Sequence, residues 1–317
     1  MLLEALVKYP TPIPAYDNLL CDPVKCQGQT PTMEHIAADL INTPDDCLNI
    51  VDQSVGYGTV SHKEQVFVSM WNAANAKSED SAVKLFSVPD LPFHPNGSGK
   101  CKISLAPDIL DLAVMDKDDA KGTWSSTFCP PGTITDIHSD YHGGSQVIFG
   151  ISTKKLWLFW PPTEKNLMWL SKHNLKSNTA AVTLEAIHHL EGLTLLYQQG
   201  RQAFFMPPFH IHSVLTFAVS AHSGTAIWDY NTWKNTARRV TEWEFAWARD
   251  YFENGHSKAH GVEALEYLEH AMTRWDKLHK KLVKKTGFPK TELGEFGQWT
   301  KTYLNKVQQN LKLMKTP

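Results

Sequence analysis

Hydrophobic and polar positions change rhythm twice along the 317-residue chain. Up to about residue 85, short helical patterns such as Met33–Ile41 and Lys63–Ala76 are set among proline-bearing turns, with no repeat or low-complexity tract. From about 86 to 232 the texture is β-rich. Ser145–Ile151 and Leu156–Trp160 are runs of β-branched and aromatic residues, the second stopped by Pro161–Pro162. Gln202–Met206 and Ser213–Ser220 are also strand-like, with Pro207–Pro208 after the first, and Thr225–Tyr230 closes the series. Short strands separated by turn signals predict a barrel or sandwich. From about 233 the period becomes helical. Trp243, Trp247 and Tyr251 are spaced four apart. Val262, Leu265, Leu268, Met272, Trp275, Leu278 and Leu282 recur every three or four, and Phe296, Trp299, Tyr303, Val307 and Leu311 repeat that spacing. Gly287–Phe288–Pro289 separates the last two helices. These stripes are expected to pack on the β core or on one another rather than to form a partner surface.

The chain thus divides into an N-terminal mixed helix-and-loop extension (1–85), a β core (86–232) and a C-terminal helical region (233–317). With 42% hydrophobic and 20% charged residues it is an ordinary globular sequence, neither disordered nor fibrous. Eleven tryptophans and fourteen phenylalanines promise a sizeable core. A net charge of -2 provides no broad positive field for nucleic acid. The one local candidate is the lysine cluster Lys277, Lys280, Lys281, Lys284 and Lys285, for which a solvated helix face is the plainer expectation.

Five cysteines (Cys21, Cys26, Cys47, Cys101, Cys129) are an odd number and mostly far apart, and no second pair beside Cys21 and Cys26 completes a zinc site. Reduced thiols in an intracellular protein are expected. The N-terminal MLLEALVKYP carries Glu4 and lacks a basic region and a long apolar run, unlike a secretory signal. No segment reaches the length of a membrane span. Nucleus and cytoplasm both fit.

The chemistry centres on Thr135-Asp136-Ile137-His138-Ser139-Asp140-Tyr141. On a strand, residues two apart project to one face, so His138 and Asp140 can reach one point. An imidazole with a carboxylate suits a first-row divalent metal. A third ligand should come from a later strand ending nearby, and His212, between Ala203–Pro208 and Val214–Phe217, is the best candidate. Two histidines and one carboxylate make the facial triad of non-haem Fe(II) oxygenases, although zinc also accepts such a set.

The run TDIHSDYHGGSQVIFGISTKKLWLFWPPTEKNL resembles the catalytic segment of Jumonji-C oxygenases, closest to the branch of lysine demethylases associated with plant-homeodomain fingers and CXXC modules. In that branch the ligand pair follows Thr-Asp-aromatic and a lysine lies seventeen positions beyond the first histidine. Here Lys155 falls seventeen after His138, and Pro161-Pro162-Thr163 ends the next strand. Gly200 to Val214 resembles the family's later segment, and matching Pro207 selects His212 over His210. Together the two segments span roughly residues 120–232.

The resemblance implies a double-stranded β-helix (a cupin-like jelly roll), Fe(II) on His138, Asp140 and His212, and 2-oxoglutarate as cosubstrate. It assigns the distal carboxylate of that cosubstrate to Lys155 and the Thr135 hydroxyl, an ammonium and a directional donor. Strict alternation would put Thr135 opposite in sense to His138, so the assignment requires an irregular strand; Lys154 should point away. The implied activity is hydroxylation or oxidative demethylation of a protein, with methyl-lysine, for example in a histone tail, favoured. Several positions depart from the family pattern. Ile137 stands in place of an aromatic, His142 precedes Gly143-Gly144, Arg201 and Gln202 replace an acidic residue, and no finger-type zinc module is present. They leave open a protein or RNA hydroxylase with another substrate, or a catalytically silent scaffold. A zinc hydrolase or cupin-type isomerase would lack an obvious general base and a use for Lys155.

Other histidines and loops fit blander readings. His142 and His210 are either loop residues, supports behind the ligands or residues facing the substrate. Adjacent His188 and His189 diverge on a helix by about 100°. Asn96–Lys100 is a turn, not a phosphate loop, because His94 and Cys101 stand where glycine and a hydroxyl are needed. Trp228 and Tyr230 are expected in the core.

Overall fold

Two antiparallel sheets account for the β-rich zone of the computed structural model. It describes residues 2–20, 24–28, 30–52, 62–75, 85–92, 101–106, 109, 111–115, 124–140, 144–173, 179–253, 258–285 and 287–315. The smaller sheet has the order β11-β10-β13-β8, from β8 (Ile134–Ser139), β10 (Lys154–Trp160), β11 (Thr194–Gln199) and β13 (Ile211–Thr216). The larger runs β1-β12-β9-β14-β7-β4-β3, with β6 paired on β14. Its strands are β1 (Leu19–Leu20), β3 (Val51–Asp52), β4 (Phe86–Pro92), β6 (Ala113–Met115), β7 (Ser125–Cys129), β9 (Ser145–Ser152), β12 (Ala203–Met206) and β14 (Ser220–Asp229). A separate ribbon joins β2 (Val24–Gly28) to β5 (Cys101–Leu105).

Apolar side chains on both faces decide how the sheets stack. Trp157, Phe159, Leu196 and Val214 of the smaller sheet meet Ile148, Phe204 and Met206 of the larger, with Tyr16 beside them. The sheets therefore face each other across a shared interior. Val147, Phe149 and Ile151 point the other way, onto Ile36 and Leu40 of α2 (Met33–Asn42) and Val66 and Met70 of α3 (Lys63–Asn75), α1 being Leu2–Val7. Burial on both faces explains why β9 reads as a nearly continuous apolar run and not as an alternation.

The β zone is interrupted by two helices that the strand pattern did not suggest, α4 (Glu164–His173) and α5 (Thr179–His189). Their Leu167, Leu170, Val182, Ala186 and Ile187 cover Leu158, Trp160, Ile211 and Leu215 on the outer face of the smaller sheet. The Thr163 hydroxyl caps α4 by accepting from Asn166 N at 3.2 Å. The buried Asn166 amide then donates to the carbonyls of Pro161 and Glu191, tying both ends of the excursion together.

Two further strand boundaries shift. Ser213–Ser220, read as one strand, is split by a bend at 217–219, where Phe217 lies exposed. Thr225–Tyr230 stops at Asp229 because that carboxylate accepts from Thr232 N and starts a helical turn. A π-helical turn at Trp233–Ala237 leads into α6 (Arg238–Glu253), α7 (Lys258–Val283) and α8 (Lys290–Lys315). The stripe Leu265, Leu268, Met272, Trp275, Leu278, Leu282 packs against Phe296, Trp299, Tyr303, Val307, Leu311, and Trp228 and Tyr230 join that core. The side chains of Trp247 and Tyr251 lie outside the described ones. Most of the lysine cluster is engaged at home: Lys281 and Lys285 donate to the carbonyls of Ala113 and Asp111, and Lys280 pairs with Asp276. No described helix is long and apolar enough to cross a membrane.

On α6, Glu244 is buried with its Oε2 unpartnered among the described residues, and burial pushes its carboxyl well above the usual range. The native state keeps a proton that the unfolded chain gives up above about pH 4.5, so this residue costs stability as pH rises. Glu244→Gln should leave stability unchanged at pH 4 and raise it by about 1–3 kcal/mol at pH 8. Denaturant unfolding at the two pH values measures this; equal effects at both would refute it.

Candidate metal centre

His138 and His212 stand directly opposite each other on β8 and β13, so both side chains project from one face of the sheet. Their rings lie 4.2 Å apart, centroid to centroid. Asp140 follows two residues after His138, and its Oδ1 is 3.5 Å from His138 Nε2. One donor atom from each of the three falls within 4.8 Å of the others. Both imidazoles are oriented in the same manner. His138 Nδ1–H donates to the Asp136 carbonyl at 2.6 Å, and His212 Nδ1–H to the His210 carbonyl at 3.0 Å. A carbonyl only accepts, which places a proton on Nδ1 of each ring and turns Nε2 toward the cluster; on His138 that atom lies beside Asp140 Oδ1. That is the preparation a metal-binding histidine requires.

Electrostatics agree with this donor set. Burial pushes the His212 imidazole down to about 4, keeping it neutral. Burial acts the same way on His138, but the hydrogen bond and charge of Asp140 outweigh it and hold that imidazole above its ordinary value. A proton and a divalent cation thus compete for one lone pair.

The approach to His212 is a buried turn. Phe209 adopts φ +62° while almost fully buried; a left-handed non-glycine costs about 1–2 kcal/mol, offset here by packing with Ile137 and Ile211. The turn separates the two neighbouring histidines. His210 turns its ring edge-on to Tyr16 and lends only its carbonyl, while His212 enters the triad. His189 faces Trp169 on the helical cover instead of the interior. His142 and the Asn96–Lys100 turn lie outside the described residues. A second cluster, Asp45, His62 and Glu64, lies on the surface, and Lys63 already shares Asp45 with His62. It is a surface ion-pair group.

Thr135 reaches the same face as His138 through a bulge. His212 pairs with His138 and Val214 with Thr135, so three steps along β8 match two along β13. One surplus residue on β8 restores the side that strict alternation would have lost. Lys155, opposite Thr216 on the same inner face, is fully buried, whereas Lys154 is exposed. The Lys155 ammonium contacts His222 Nδ1 at 2.9 Å and Cys129 Sγ at 3.7 Å. Sequence reasoning singled out neither His222 nor Thr216. His222 packs edge-on against Trp157 at 5.2 Å, and the Trp157 ring also lies 6.0 Å from His212. One interior therefore holds the triad and the lysine.

No family model and no curated protein matches the chain. The donor set must be judged by its own chemistry. Two imidazoles and a carboxylate can hold a metal ion, with Fe(II) and Zn(II) both suited to them.

Proposed function

We propose that this chain is an Fe(II)- and 2-oxoglutarate-dependent dioxygenase of the Jumonji-C type, whose facing sheets are the halves of a double-stranded β-helix. The observation that carries the proposal is a pairing. A His-Asp-His cluster with both Nε2 atoms turned toward it shares an interior with a fully buried lysine that has no carboxylate partner among the described residues. A zinc hydrolase has no use for that lysine, and neither does a catalytically silent scaffold.

His138, Asp140 and His212 would hold the iron and leave one side of it open. Fe(II) with 2-oxoglutarate and O₂ supplies the oxidising power to hydroxylate a substrate C–H bond; on an N-methyl group the product collapses to formaldehyde and an amine. Lys155 and Thr135 would bind the distal carboxylate of the cosubstrate, orienting its keto-acid end toward the triad. Trp157, Phe159 and Phe204 line the interior with apolar surface and exclude water. The favoured substrate is a methyl-lysine side chain of a protein such as a histone tail, by resemblance of the two motif segments.

Succinate release from 2-oxoglutarate, with iron and oxygen supplied, tests the activity. Wild-type protein should turn over and His138→Ala should not; equal release by the two would refute the assignment. Mass spectrometry of methylated peptides then separates demethylation, which removes a methylene mass, from stable hydroxylation, which adds one oxygen.

A further inference from the structure

Lys155 is among the largest fully buried side chains of the protein and carries a charge. Its neighbours are a thiol and an imidazole, and no described carboxylate reaches it. An ammonium withdrawn from water is costly unless an anion joins it. Two more polar groups nearby are also unfinished. Thr216 sits directly opposite Lys155 on β13, is 3% exposed, and its hydroxyl has no partner among the described residues. His222 accepts at Nδ1, because an ammonium has donors only, so the remaining imidazole proton is on Nε2. Among the described residues that N–H has no hydrogen-bond partner. Lys155 has only neutral acceptors, His222 Nδ1 and Cys129 Sγ, and among the described residues the His222 Nε2–H and the Thr216 hydroxyl have none.

We infer that His222 and Thr216 join Lys155 and Thr135 in the pocket for the remote carboxylate of a dicarboxylic 2-oxo acid, and that these two set the preference for a diacid. The assignment rests on the metal-centre reading above and adds to it two residues that neither motif segment named. Lys155 lies four residues from Phe159, which is opposite His212. The two levels are thus about 13 Å apart along the strand, a gap the four-carbon lysine stem shortens. His222 faces that gap from the larger sheet, against the same Trp157 ring that meets His212. A short diacid can therefore place one end at the triad and the other among the three donors. Thr135, opposite Val214, stands between the two levels. A monocarboxylate would bring no anion to Lys155 and no acceptor to His222 Nε2 or the Thr216 hydroxyl, and it is this shortfall that discriminates.

The test uses the full chain loaded with Co(II) under nitrogen, so that binding is read without turnover. The probes are 2-oxoglutarate and 2-oxopentanoate, which has the same length but a methyl in place of the remote carboxylate. Titration calorimetry should show that the wild type prefers the diacid. Thr216→Val and His222→Asn should each weaken 2-oxoglutarate by about tenfold, as for loss of a hydrogen bond to a charged group. Neither should change the affinity for 2-oxopentanoate or for Co(II). His222→Gln, whose amide reaches the Nε2 position, should restore most of the loss. If the variants weaken both acids equally, or leave 2-oxoglutarate unaffected while the wild type binds it, this pocket assignment is overturned and the metal-centre reading stands. A wild type that takes up no Co(II), or binds neither acid once loaded, overturns both.

Discussion

His212→Ala is expected to abolish metal retention and to lower iron-dependent turnover by on the order of 10³-fold, the equivalent of about 4 kcal/mol. The ligand is lost from the buried side of the triad, where water substitutes poorly. His210→Ala is the informative control. That residue is two positions away, but its ring points to Tyr16 and only its backbone carbonyl supports His212. A carbonyl survives substitution, so His210→Ala should keep its metal. Metal content after dialysis measures both variants, and thermal unfolding gives a second reading, since a ligand that binds only the native state raises its stability. Added Co(II) should shift the wild type and His210→Ala upward and leave His212→Ala where it was. Stoichiometric metal in His212→Ala would remove that residue from the ligand set.

Lys155→Met should separate stability from function. Cosubstrate binding is expected to vanish, because the buried positive charge that Lys155 brings to the interior of the triad is gone. Stability should move the opposite way, upward by about 1–4 kcal/mol, as when a buried charge gives way to an apolar side chain of similar volume. The sign with pH follows from the ammonium. Burial lowers its pKa below the ordinary 10.5, so the native state binds fewer protons than the unfolded chain between its own value and 10.5. Wild-type stability therefore rises with pH through that window. The advantage of Lys155→Met should be largest below it and fade as pH approaches 10.5. Urea unfolding at several pH values would show this; a Lys155→Met protein less stable than wild type at neutral pH would mean that the ammonium is better compensated than its two neighbours suggest.

The helical third of the chain was legible because its signal is local. Phe296, Trp299, Tyr303, Val307 and Leu311 recur at three and four, and all are buried in one core. His138 and Asp140 were legible for the same reason, a spacing of two on one strand. His212 required comparison with family segments, because nothing local distinguishes it from His210; a left-handed Phe209 in a buried turn separates them. His222 carried no signal of its own. It lies in a run of small residues, and the lysine that gives it meaning is 67 positions earlier. The helical excursion at 164–189 was missed because its apolar positions are few and matter only once the outer face of the smaller sheet is there to be covered. The ends of Ser213–Ser220 and Thr225–Tyr230 were misjudged where a bend and an Asp229 cap overrode strand propensity.

The extra residue on β8 has a consequence for how this site can vary through time. Between Thr135 and His138 the chain spends three steps where its neighbour spends two. Side-chain identity at Asp136 and Ile137 is open to drift within the limits of packing. Losing one of the two would leave two steps on each strand, a regular pairing in which Thr135 still faces Val214 and still projects to the side of His138. Lineages descended from this chain should therefore be able to lose the bulge while keeping both side chains on the inner face.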